Sequence, residues 1–181
     1  MPNYMNNYMD ESENNELFTQ LPEDFDPEQD EIIESIVIDN MDLDDRTRAR
    51  GIALQSLYEM DMSDHPVNLI LKERIDSVQL DDLQKEFVEK IVTGVRPFIH
   101  QIDGLIAEYA PEWPIDQIAV IDRNIIRISV WEFAIGKTTP IKVAINESVE
   151  LAKLFGSESS PRFVNGVLGS IADHIDDLIH Q

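Results

Sequence analysis

Pro140-Ile-Lys-Val-Ala-Ile-Asn-Glu-Ser-Val-Glu-Leu-Ala-Lys-Leu-Phe-Gly156 runs directly into Ser157-Glu-Ser-Ser-Pro-Arg-Phe-Val-Asn-Gly-Val-Leu168. Pro140 stands where a helix starts, because it brings a preset φ and has no N–H to leave unpaired, and Gly156 stands where one stops. Between them Ile141, Ile145, Val149 and Ala152 recur at helical spacing. Beyond them Phe163, Val164, Val167, Leu168, Ile171, Ala172 and Ile175 repeat the pattern in a longer run. The spacing predicts two amphipathic helices meeting at a short polar turn, with Phe155, Arg162 and Asn165 near the junction.

The same period extends towards the N-terminus. Ile115 to Ala134 reads as a buried central helix: Ile118, Ile121, Ile125, Ile128 and Phe133 face one way, and Val120, Ile126, Val130 and Trp131 widen the apolar arc beyond a surface stripe. Gly136-Lys-Thr-Thr-Pro140 ends it. A first helix runs from an N-cap at Asp44 or Asp45 to about Met62, with Ala49, Ile52, Ala53, Leu57 and Met60 inward. Ser63-Asp64-His65-Pro66 breaks it, and Pro66 opens a second helix through Ile75. A third spans about Asp81 to Val95, carrying Leu83, Phe87, Ile91 and Val95. Arg96-Pro97 interrupts the period, since the residue before a proline resists the helical region. A fourth, about Phe98 to Tyr109, carries Ile99, Ile102, Leu105 and Ile106 before the turn Pro111-Glu-Trp-Pro114. Val and Ile are abundant, but their spacing of three and four outweighs their β-propensity. The expected fold class is all-α, without internal repeats.

The charge is distributed unevenly. The 181 residues carry a net charge of -22, and residues 1 to 45 hold 15 acidic side chains and no basic one. Residues 46 to 181 therefore hold 21 acidic and 14 basic side chains, a net of -7. With few aromatics and little apolar area to offset chain entropy, the first stretch is expected to be a disordered acidic extension over residues 1–43, with a short helix at about 28 to 38. It is read first as a solvating tail, and second as a polyanion that competes with RNA for the arginines that follow. Residues 44–181 are then one helical domain. No cysteine is present, which excludes disulfides, thiolate metal sites and a cysteine nucleophile. No run of about 18 apolar residues and no basic-then-apolar leader occurs, so a cytoplasmic protein without membrane contact is expected.

Catalysis needs a nucleophile with its base, paired carboxylates, a metal constellation or a phosphate loop. None of G-x-x-x-x-G-K-[ST], H-E-x-x-H or G-x-S-x-G is legible, and no cofactor or metal is implied. His65, His100, His174 and His180 read as surface residues, and Asn146-Glu147 as a maker of caps and helix–helix hydrogen bonds. What remains is a binding surface. Single-stranded RNA is held by Arg and Lys on phosphates and by aromatic side chains on bases. The first helix offers Arg46, Arg48, Arg50 and Tyr58, and the 140 to 168 region offers Lys153, Phe155, Arg162 and Phe163. Spacing alone does not place these two groups on one surface.

The phrasing P-x-K-V-A-I-N-E-x-V-E-L-A-K-x-F-G followed by R-F-V-N-G-V-L closely resembles the NusB family of bacterial transcription antitermination proteins. Arg46-Thr-Arg-Ala-Arg-Gly-Ile-Ala-Leu-Gln-Ser-Leu-Tyr58 resembles that family's opening helix, and Ile121-Asp-Arg-Asn-Ile-Ile-Arg-Ile-Ser-Val-Trp-Glu-Phe133 its central one. Three separated segments agree in order, over residues 46 to about 175. Gly51 departs from the family, which usually carries an acidic residue there; glycine costs a helix roughly 1 kcal/mol relative to alanine.

The resemblance implies two packed three-helix subdomains, with the arginine-rich first helix beside the C-terminal helix junction. It places an RNA face on Arg46, Arg48, Arg50 and Tyr58, completed by Phe155, Arg162 and Phe163, with Lys153 close by. It implies boxA RNA of ribosomal RNA operons as ligand and NusE, a ribosomal small-subunit protein, as partner, with NusA, NusG and RNA polymerase assembling around them. Asp122 and Arg123 either face the protein partner or cross-link two helices. Tyr58 and Phe163 are either stacking residues or core with one edge exposed, and Arg48 and Arg50 either bind an anion or solvate a helical turn. The rival functions are the RNA-recruiting domain of a ribosomal RNA cytosine methyltransferase and a protein-binding helical adaptor. Monomer and homodimer are both compatible with the sequence.

Overall fold

The punctuation read from the sequence sets most of the helix ends. A computed structural model describes residues 43–175; the acidic extension up to residue 42, the helix expected at about 28 to 38 and the last six residues with His180 lie outside the described residues. Among the described residues there are seven α-helices and no strand: α1 (Asp45–Met62), α2 (Val67–Asp76), α3 (Asp82–Val95), α4 (Ile99–Tyr109), α5 (Val120–Val130), α6 (Ile141–Phe155) and α7 (Ser160–Asp173). Asp44 caps α1, Pro66 and Pro140 precede α2 and α6, and Gly156 follows α6. Asp81 and Gln84 close a capping box on α3, each side chain taking up a backbone N–H the helix start leaves unpaired.

One helix start moves. The helix expected from Ile115 begins at Val120, and residues 115–119 are turn. Ile118 is buried all the same, so its apolar signal reported burial in a loop and not a helical turn. The far end of α5 does not stop at Val130 but widens into a π-helical turn, Trp131–Ile135.

The helices pack in two groups, α1–α3 and α4–α7; α4 rests on α5 and α7, so the second group holds one helix more than the expected three. α1 joins them through α5 and α6. The core is centred on α1 and α5, each buried around most of its girth: Ile52, Ala53, Leu54 and Leu57 on one, Ile121, Ile125, Ile126, Ile128 and Val130 on the other. Each such large aliphatic side chain contributes about 1.5–3 kcal/mol by leaving water. Two expected faces are rotated. On α6 the buried residues are Ala144, Ser148, Leu151 and Ala152, whereas Ile141, Ile145 and Val149 are half-buried. On α3 the buried stripe is Val88, Ile91, Val92 and Val95, which leaves Phe87 half-buried and Leu83 exposed.

α3 and the π turn approach closely at Gly94. A Cβ there would stand 2.2 Å from the Trp131 indole, so this position admits only glycine without movement of the ring.

Candidate nucleic-acid interface

The interface begins at the α1 cap. Asp44 accepts from the backbone N–H of Arg46 (3.0 Å) and Thr47 (3.1 Å), and its other oxygen accepts from the Thr47 hydroxyl. The Thr47 hydroxyl is the leading cause holding the Asp44 carboxyl below its ordinary pKa; the two backbone donors and the nearby Arg50 add to it against some desolvation.

With the start fixed, helical geometry sets one arginine apart. Residues two apart lie about 200° apart around the axis and residues four apart about 40°, so Arg48 faces away from Arg46 and Arg50, which both lie towards the Phe87 ring. Arg46 is exposed and lies over the Phe87 ring, 5.7 Å from its centroid. Arg48 is half-buried, as are Gln55 and Tyr58, and these three fall within about 80° of one another on α1. Arg50 points inward and is only 2% exposed.

Arg50 forms a clamp. Its Nε and Nη2 donate to the two Glu132 oxygens at 2.9 and 3.0 Å, and its Nη1 donates to Glu147 Oε2 at 2.8 Å. Glu132 also accepts from the Thr139 hydroxyl at 2.7 Å, while its backbone carbonyl accepts from Thr138 N–H at 2.8 Å. The π turn is what presents Glu132, itself 1% exposed, at this point. The Thr47 hydroxyl lies 2.7 Å from the same Glu147 oxygen. The start of α1 is thereby fastened to α5 and α6. An RNA contact at Arg50, expected from the sequence, is corrected: a buried guanidinium shared between two carboxylates has no face to offer a phosphate.

The second group of residues sits at the α6–α7 turn. Gly156 is needed there because a Cβ would stand 2.5 Å from Ser160, whose hydroxyl accepts from Ser157 N–H at 2.9 Å. Phe155 is half-buried beside this turn, and Arg162 is exposed on the first turn of α7. Arg162 and Asn165 border a surface groove whose other wall is Asn146, Val149 and Glu150 of α6. Lys153 is exposed and ion-paired with Glu150 at 2.7 Å. Phe163 is half-buried and meets Trp113 edge-on, ring centroids 5.9 Å apart. Tyr58, Phe155 and Phe163 are thus neither full core nor free surface.

Asp122 and Arg123 are turned largely inward, an arrangement that favours the second of their two expected places, the cross-linking of two helices. Asp122 is 7% exposed. Arg123 turns inward to donate to the Ile115 carbonyl at 3.0 Å and approaches Asp61 at 3.3 Å, holding the turn before α5. Beside it lies a network that sequence patterning did not single out. Arg127 donates to both Asp103 oxygens at 2.7 Å and to Asp61 at 2.7 Å, and Asn124 donates to Asp61 at 3.0 Å. Burial opposes the charge on Arg127, but the Asp103 and Asp61 carboxylates more than offset it and raise its pKa above the ordinary value. This network ties α1, α4 and α5 at the end opposite to Arg50. Among the described residues no group of three or more His, Asp or Glu side chains could hold a metal ion, and no helix is long and apolar enough to cross a membrane.

The class of protein these features define is an all-helical scaffold whose buried charges fasten its helices together. The NusB family profile matches residues 47–173, and the chain belongs to the NusB family. The transcription antitermination protein NusB of Roseiflexus castenholzii is 44% identical over 128 residues, 70% of this chain and 90% of its own length. The protein of the same description from Bacillus subtilis is 38% identical over 131 residues, 72% of this chain and 97% of its own. Among solved structures, T. maritima NusB is similar with a TM-score of 0.65 and 34% identity, covering 71% of this chain and 90% of that one. A structure of the antitermination factors NusB and NusE in complex with dsRNA is similar with a TM-score of 0.64 and 27% identity, covering 71% of this chain and 96% of that one.

Proposed function

We propose that this protein is a transcription antitermination factor that binds the boxA RNA of ribosomal RNA operons together with a NusE-type ribosomal protein. It works by assembly: holding transcript and ribosomal protein together tethers the RNA to elongating RNA polymerase, with NusA and NusG, and suppresses termination. Residues 44–181 are the binding domain and residues 1–43 an acidic extension. The observation that carries the reading is the fastening of the α1 start to α6 through the Arg50–Glu147 contact. It supports a single edge composed of Arg46, Arg48 and Tyr58 from α1 with Phe155, Arg162 and Phe163 from the α6–α7 region. Arg50 holds this edge in place instead of touching RNA, and Lys153 adds a cation already shared with Glu150. The relatives that match along 90% and 97% of their own lengths are both described as transcription antitermination proteins, which favours that role over RNA recruitment for a methyltransferase.

The test is binding of a boxA-containing single-stranded RNA against a scrambled control, with and without the NusE-type protein, across a salt series. Selective binding strengthened by the partner is expected. Arg48→Glu should weaken it and lower the slope of log affinity against log salt by about 0.7, the share of one single-strand phosphate contact. Phe155→Ala should weaken it by about 5- to 150-fold with the slope unchanged, as loss of a stacked base does. Equal affinity for boxA and scrambled RNA in every condition would overturn the proposal.

A further inference from the structure

The turn between α4 and α5 carries the most exposed Phe, Tyr or Trp ring among the described residues. Trp113 is 52% exposed, whereas Trp131 is 5% exposed. Its ring meets Phe163 at 5.9 Å with planes 74° apart, and Phe163 directly follows the exposed Arg162. The turn is held from both sides. The Trp113 backbone N–H donates to the Ala110 carbonyl at 2.9 Å, and Arg123 holds the Ile115 carbonyl at 3.0 Å. A large indole left half in water on a fastened turn forgoes burial and keeps a preset orientation. Both properties suit a ligand-stacking residue, because little order remains to be imposed on binding.

We propose that Trp113, braced by Phe163, stacks on an unpaired nucleobase of single-stranded RNA and so extends the RNA-binding edge from α7 across the α4–α5 turn; this rests on the RNA-binding reading above. The charges around it select base over backbone. Glu112 and Asp116 on the same turn are exposed and repel phosphate, while Arg162 beside Phe163 attracts the phosphate of a neighbouring nucleotide. The contact therefore adds affinity that salt does not screen.

The experiment uses the full chain and the boxA-containing oligonucleotide, with tryptophan emission and affinity read at several salt concentrations. RNA should quench the emission of the parent protein, and Trp113→Phe should abolish that quenching while the Trp131 emission remains. Trp113→Ala should weaken binding by about 5- to 150-fold with an unchanged salt slope, and Trp113→Phe should restore most of the affinity. Thermal melts of both variants check that the fold is intact. Emission unaltered at saturating RNA, or Trp113→Ala binding within about twofold of the parent, overturns the platform while leaving the broader reading in place. A Trp113→Ala loss confined to the protein partner overturns it too and assigns the turn to that partner. Absence of any RNA binding by the parent overturns both.

Discussion

Replacing Arg50 by alanine tests whether the arginine-rich start of α1 is fastened or merely adjacent to the rest of the fold. The substitution removes three charge-assisted hydrogen bonds, two to Glu132 and one to Glu147. Glu147 is 25% exposed in its side chain and recovers water, whereas Glu132 at 1% keeps only the Thr139 hydroxyl. Leaving a carboxylate buried without its partner costs about 3–5 kcal/mol. For a domain of this size each kcal/mol lowers Tm by about 3–5 °C, so the midpoint should fall by roughly 10–20 °C. Urea unfolding followed by circular dichroism gives the free energy independently. Arg50→Lys should recover only part of it, because an ammonium cannot reproduce the paired donors that meet both Glu132 oxygens. Glu132→Gln combined with Arg50→Ala should cost less than the two changes summed, since the second removes the charge the first stranded. A loss below about 1 kcal/mol would refute the clamp. So would a stable Arg50→Ala protein whose RNA-binding salt slope falls by about 0.7, which would return Arg50 to the phosphates.

Asp44→Ala removes the α1 cap and should cost about 1 kcal/mol at neutral pH. Because the folded carboxyl titrates below its ordinary value, its contribution is present above about pH 4 and is lost as pH falls through the lowered value. Parent and variant melts should therefore converge as the pH is taken well below the ordinary carboxylate range, and a difference undiminished by acid would argue against the charged cap. Gly94→Ala places a methyl 2.2 Å from the Trp131 ring and should destabilise by about 1–3 kcal/mol, the opposite of the gain expected for alanine in an unobstructed helix. The changed environment of Trp131 should shift its fluorescence, and a more stable variant with unaltered emission would show that α3 and the π turn have slack.

The fold was legible because the helical period and its punctuation agree: Asp44, Pro66, Asp81, Pro140 and Gly156 each stand at or beside an observed helix end. What the period did not give was direction. Leu83 lies in register with Ile91 and Val95 yet is 77% exposed, because the stripe that packs on α1 runs one residue later, through Val88. Arg46, Arg48 and Arg50 look alike as a cluster, but a helix sends Arg48 to a different side from the other two, and only tertiary structure shows that Arg50 is interior while Arg46, one turn nearer the helix end, is exposed. Glu132 and Arg127 were hidden for a related reason. A charge inside an apolar helix reads the same whether it faces solvent or a buried partner, and both partners of Arg50 lie more than 80 positions away. Trp113 was read as part of a turn, and its contact with Phe163 joins elements that no local pattern relates.

The division of labour among the arginines bears on how a body of net charge -7 holds RNA at all. Arg50, Arg123 and Arg127 are turned inward onto carboxylates and so are largely spent within the protein, whereas Arg74 and Lys153 pair with carboxylates at the surface. At the proposed edge Arg46 and Arg162 are exposed and Arg48 is half-buried. Three phosphate contacts on a single strand give a salt slope of about 2, or about a twentyfold loss of affinity between 50 and 200 mM salt. That is a shallow dependence for a nucleic-acid reader, and it leaves most of the affinity to be supplied by stacking on half-buried aromatics and by a second protein on the same RNA. The Glu132 and Glu147 carboxylates that fasten the start of α1 thus also withdraw one of its three arginines from any ligand. An edge built this way favours a short unpaired segment with bases to stack over a long polyanion, and it gains most from a partner that adds contacts of its own.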